Sequence, residues 1–107
     1  MNLLDEDGYP TEETLTAIEL WPFNDTKGLW RLVQDTWWMP DWGFGPVIKG
    51  SNGEALLGIS TGGWSGNEDI IVALRDNHIF WMFYWESSHR GGHYEFRVKE
   101  DEIDVTV

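Results

Sequence analysis

No cysteine occurs among the 107 residues, which removes disulfides, thiol nucleophiles and thiolate zinc sites in one step. Basic side chains are scarce: seven Lys and Arg stand against 19 Asp and Glu, giving a net charge of −12. Phosphate contacts need Lys and Arg, so direct binding of nucleic acid is not expected. No apolar run reaches the roughly 18 residues that a membrane span requires. The start "MNLLDEDGYP" has neither the basic nor the apolar part of a secretory signal, which predicts a cytoplasmic protein. Repeats, low-complexity linkers and composition breaks are lacking too. The expectation is one domain over residues 1–107, with 1–9 as a mobile lead-in.

Tryptophan is abundant instead, at eight residues beside five Phe and three Tyr. Each aromatic ring buries roughly 150–250 Å² when internal, and a core this small cannot hide them all. Some tryptophans are therefore expected on a pocket or partner surface. The negative charge is also unevenly spread. Residues 1–25 hold seven acids and no Lys or Arg, and residues 100–104 add four more acids, so 11 of the 12 excess charges lie near the two ends. Such a chain is drawn to basic surfaces, among which nucleic-acid-handling proteins are a large class.

The stretch "PTEETLTAIEL" predicts a first helix begun by Pro10 or Thr11 and stopped by Pro22. Residues 24–38 ("NDTKGLWRLVQDTWW") fit either a short helix capped by Asn24 or Asp25 or a strand over 29–33. "MPDWGFGP" reads as a loop, because two prolines and two glycines defeat both helix and ladder. Residues 54–60 predict a strand, and Ser65 with Glu68 matches a capping box opening a helix that ends near Asp76 or a left-handed Asn77. "IFWMFYWE" at 79–86 is apolar on both faces and predicts a central strand. Residues 93–98 alternate cleanly, and with "SSHRGG" between them the two strands predict a hairpin. "IDVTV" adds a possible edge strand. The fold class is α+β: a small antiparallel or mixed sheet with two or three helices packed on it.

If the 54–60 and 79–86 strands run parallel, the loops "STGGWSGNE" and "SSHRGGHY" leave the same sheet edge, where ligands collect. That arrangement gathers Thr61, Trp64, Ser65, Asn67, Glu68, Arg90, His93 and Tyr94. Arg90 is placed either outward toward an anion or inward toward Glu68 or Asp69. The competing explanation for the first loop is structural, since glycines before a capped helix serve the turn. Ser65 or Thr61 with His93 and Glu68 would supply the residue types of a catalytic relay, but no spacing orders them, and an enzyme is not expected. His89 and His93 lie on a glycine turn without a fixed third ligand, so neither metal nor cofactor is assigned.

The signature "STGGWSGNEDII" followed by "FWMFYWESSHRGGHYEFRV", over about residues 58–98, resembles a group of small proteins encoded by bacteriophages, prophages and mobile elements. The resemblance implies a cytoplasmic inhibitor of a bacterial host's defence, in the manner of anti-CRISPR proteins and nucleic-acid mimics. The leading expectation is then a non-enzymatic binder of a basic, nucleic-acid-handling host protein. Its acidic face would comprise Glu12, Glu13, Glu19, Asp25, Glu100, Asp101, Glu102 and Asp104, with exposed Trp or Tyr as anchors. The alternatives are a nucleotide-like small ligand held by the 60–68 and 87–94 loops, or a toxin-neutralising immunity protein. A monomer or a homodimer fits either.

Overall fold

The computed structural model describes residues 2–103. The fold is α+β: five α-helices and a four-stranded antiparallel sheet. Thr11 opens α1 (Glu12–Glu19), its Oγ1 accepting from the Thr14 N–H at 3.2 Å. Asp25 caps α2 (Thr26–Thr36) by accepting from the Gly28 N–H, which resolves the 24–38 ambiguity in favour of helix. A short α3 (Pro40–Gly43) leads into β1 (Phe44–Lys49), and a turn joins that to β2 (Glu54–Ser60). Then come α4 (Ser65–Asp76), α5 (His78–Tyr84), β3 (Trp85–His89) and β4 (His93–Lys99). Phe23–Asp25 and Glu100–Glu102 are 3-10 turns.

The sheet order is β1-β2-β4-β3, and every neighbouring pair is antiparallel. Ala55, Leu57 and Ile59 of β2, with Phe96 and Val98 of β4, face the buried core. The period of two places Ser60, His93, Glu95 and Arg97 on the opposite face. Trp30 of α2 is the hub of the core, 2 % exposed. Its ring meets Phe80 at 5.3 Å, Phe96 at 5.2 Å and Phe44 at 6.4 Å, each edge-on. Edge-on contacts suit the ring quadrupoles and add to the burial itself.

Several expectations from sequence are corrected here. Residues 78–84 are helix, not strand: Phe80 and Tyr84 are buried one turn apart, while Ile79, Met82 and Phe83 stay exposed on the outer side. With only His78 as a polar residue on that outer side, at the very start of the helix, the helical period is hidden in an apolar run. The strand begins only at Trp85, and it pairs with β4, so the parallel pairing with β2 does not occur. The loop assigned to 39–46 holds α3 and the start of the edge strand β1. Asn77 is not left-handed (φ −83°). Its side chain instead donates to the carbonyls of Ile18 (3.0 Å) and Trp21 (3.1 Å), tying the α4–α5 junction to the end of α1.

Residues 2–9, the expected lead-in, turn back on themselves. Asp5 Oδ1 accepts from the N–H groups of Asp7 and Tyr9, and the Leu3 carbonyl accepts from Thr14 Oγ1. The possible edge strand at 103–107 lies, apart from buried Ile103, outside the described residues.

Tyr84 joins α5 to the start of α2 and to the second 3-10 turn. Its hydroxyl lies 3.2 Å from Thr26 Oγ1 and donates to Glu102 Oε2 at 2.7 Å. Burial pushes the phenol pKa from about 10 up to about 12; the bond with Thr26 opposes that rise, and the Glu102 carboxylate adds to it. A raised pKa means the folded state favours the neutral phenol. That contribution is whole below about pH 10 and is lost as pH rises through about 12. Denaturant midpoints should therefore fall more steeply between those values for the natural chain than for Tyr84→Phe. In the core, Trp30→Ala should cost about 3–5 kcal/mol of unfolding free energy, measurable by the same titration at neutral pH.

Candidate functional site: an aromatic ledge beside the glycine loops

Antiparallel pairing of β2 with β4 sets Ser60, at the end of one strand, opposite His93, at the start of the other. The two glycine loops therefore do meet, through that pairing and not through the parallel one. The Thr61 N–H donates to the Gly92 carbonyl at 2.9 Å, and Ser60 Oγ and His93 Nδ1 share a hydrogen bond of 2.8 Å. Gly92 sits at φ +81°, and a Cβ there would run into Thr61 Oγ1. Thr61 itself is buried. The permissive backbone is thus used to bring the chain against its own side chains.

The first loop carries tryptophans on a rigid mount. Asn67, buried in the first turn of α4, accepts from the Trp38 N–H (2.8 Å) and donates to the carbonyls of Trp38 (3.1 Å) and Thr61 (3.3 Å). The rings of Trp38 and Trp64 stack at 5.1 Å, and Tyr9 meets Trp64 at 4.6 Å on a tilted plane. Trp42 lies against Gly62, where a Cβ would stand 3.0 Å from the indole and where a φ of +64° would strain any other residue. Trp38 is 46 % exposed and Trp42 64 % exposed, with Met39 beside them at 51 %. These residues form an apolar ledge fixed by a buried amide.

The capping box expected from Ser65 and Glu68 is absent: Trp64 occupies the cap position and makes no side-chain cap bond. Ser65 Oγ instead approaches the Tyr9 hydroxyl at 3.5 Å, and Glu68 is exposed. The missed elements of the site are Tyr9, Trp38 and Trp42. The aromatic richness of residues 37–44 was the available signal, but the contacts that bring that segment to the loop, the Asn67 hydrogen bonds across 29 positions among them, are long-range and carry no local pattern.

The second loop builds a separate polar cluster on the open sheet face. Glu95 accepts from Ser87 Oγ at 2.7 Å, His89 Nε2 lies 3.0 Å from it, and His93 Nε2 lies 3.9 Å from it. The Ser87 hydroxyl, and then His89, hold the Glu95 carboxyl below its ordinary value. The hydroxyl that meets His93 is that of Ser60, not Thr61 or Ser65. Arg90 is exposed and, among the described residues, pairs with neither Glu68 nor Asp69. Tyr94 packs half-buried against the core. Among the described residues no group of three side chains is placed to hold a metal ion.

The acids assigned to one face fall in two places. Glu12 and Glu13 line a shallow concavity with Leu20. Asp25, Asp101 and Glu102 line a groove of about 660 Å³ together with the cations Lys27, Arg97 and Lys99. Glu19 and Glu100 are exposed, and Asp104 lies outside the described residues. A second apolar patch, on the outer side of α5, reaches this mixed-charge groove through Phe83 and its neighbour Phe23 (rings 5.4 Å apart). The ledge has a different setting. The three segments that build it, residues 2–14, 34–43 and 60–70, contain nine acids and no Lys, Arg or His.

Comparison with family models, with curated proteins and with solved structures finds no match to the chain.

Asn67→Ala should leave the Trp38 N–H and two carbonyls without their partner, costing about 1–3 kcal/mol. Trp42→Ala, at an exposed ring, should change stability by less than about 1 kcal/mol. Urea titrations of the two variants check the contrast, and equal midpoints would show that the amide does not pin the ledge.

Proposed function

We propose that the chain is a non-enzymatic binding protein that holds a basic, nucleic-acid-handling protein of a bacterial host and obstructs its charged surface. The observation that carries this reading is the ledge: exposed tryptophans on a fixed backbone, in segments that bear only negative charge. Trp is a favoured anchor residue at interfaces, because a rigid ring excludes water at small entropic cost. The acids supply what the rings do not. With a net charge of −12, a basic partner is attracted before contact, over a range of about 8–10 Å at ordinary ionic strength.

The resemblance of residues 58–98 to small phage-encoded proteins supports a defence protein as the class of partner. The nucleotide-like ligand has less behind it, since Gly62 and Gly92 accommodate Trp42 and Thr61 of the chain itself. The Ser60–His93–Glu95 contacts include residue types of a catalytic relay, but Glu95 is already committed to Ser87 and His89.

The test is a binding isotherm for a captured host protein across a salt series, repeated with Trp38→Ala and Trp42→Ala. Affinity for the natural chain should fall at least about tenfold between 50 and about 300 mM salt, and each Trp variant should lose about tenfold or more at fixed salt. Binding that ignores both salt and the two tryptophans would sink the reading.

A further inference from the structure

Resting on that reading, we infer that the ledge selects arginine: its occupant is an arginine-bearing segment of the basic partner, seated with a guanidinium over Trp38 or Trp42. The rings come first in the argument. Trp64 is half-buried between Tyr9 and Trp38, so the stack ends in a Trp38 ring that remains 46 % exposed. Trp42, beside Gly62, is more exposed still. Both indoles present flat apolar surface at a place where no protein ring is left to cover them.

Charge then decides among the things that could cover them. A second copy of the chain would bring another −12 against the first, into segments that contain no cation to receive it. A neutral apolar segment would draw nothing from the nine acids of the segments that build the ledge, among them the exposed Asp41 and Glu68. A cation satisfies both features at once, because the face of an indole is the negative pole of its quadrupole.

Between the two cationic side chains, geometry favours arginine. Its guanidinium is planar, lies flat on an indole and is weakly hydrated, while its edge still offers paired N–H donors to a carboxylate. A lysine ammonium is a compact, strongly hydrated charge that cannot stack. The chain already contains one such contact of its own, Arg75 Cζ standing 5.3 Å from the centre of the Trp81 ring. That pair is internal to α4 and α5; at the ledge the ring is supplied and the cation is not.

The experiment titrates the isotopically labelled full chain with deca-arginine and, separately, with deca-lysine at the same ionic strength, following the eight indole N–H resonances. Deca-arginine should bind about tenfold more tightly than deca-lysine and should move the Trp38 and Trp42 signals first. Trp38→Ala and Trp42→Ala, checked for an unchanged far-UV spectrum, should bring the two peptides to equal affinity. Equal affinity for the natural chain would overturn the inference and leave salt-dependent binding of a basic partner standing. Neither peptide binding at low salt would overturn both. Shifts confined to Trp81 and Trp85, or shifts that grow with protein concentration alone, would also overturn it, the first by placing the cation elsewhere and the second by making the occupant another copy.

Discussion

The Asn67 carboxamide is the contact on which the rest of the site depends. One side chain in the first turn of α4 fixes the backbone of Trp38, 29 residues earlier, and the carbonyl of Thr61 at the end of β2. Wholly buried at Thr61 and partly buried at Trp38, those three hydrogen bonds are costly to lose and geometrically demanding. They set how the segment after α2 crosses the glycine loop, and so where the Trp38 and Trp42 rings stand. Asn77 acts similarly at the other end of the same helix, where it holds the last turn of α1. Two amides at the ends of α4 thus attach the helix to elements far away in sequence, and the apolar core fills the space between them.

Much of the sheet was legible in the residues. Strand β2 and strand β4 follow from alternation and turn chemistry, and α4 follows from its Ile70, Ile71 and Leu74 stripe. The meeting of the two glycine loops was also reached, though from a parallel arrangement that does not exist. It holds because β2 and β4 are neighbours in antiparallel register. What could not be read was α5. A helix whose outer side carries Ile79, Met82 and Phe83 has no polar stripe, and period two and period 3.6 fit an apolar run equally well. The capping box failed for a different reason: the helix begins one residue earlier than the box requires, so Trp64 takes the cap position and Ser65 falls inside the first turn.

Charge and aromaticity divide the surface into two kinds of apolar patch. On the α5 side, Lys27, Arg97 and Lys99 stand among the acids, and the local field is mixed. At the ledge the building segments are acidic throughout. A composition that looks uniform at the level of net charge is therefore locally selective. The same tryptophans would be an aggregation hazard in a neutral chain, and the self-repulsion of like-charged copies offsets that tendency.

The strand order has a consequence in time. The two central strands, β2 and β4, are separated by α4, α5 and β3, more than 30 positions of chain. Closing a loop of that length must precede the central pairing, which raises the contact order and slows collapse to the final form. During synthesis, the β1–β2 hairpin leaves the ribosome with the pairing edge of β2 bare, and that edge stays bare until residues 93–99 follow. For that interval a nascent chain depends on its own negative charge, or on a chaperone, to stay apart from its neighbours.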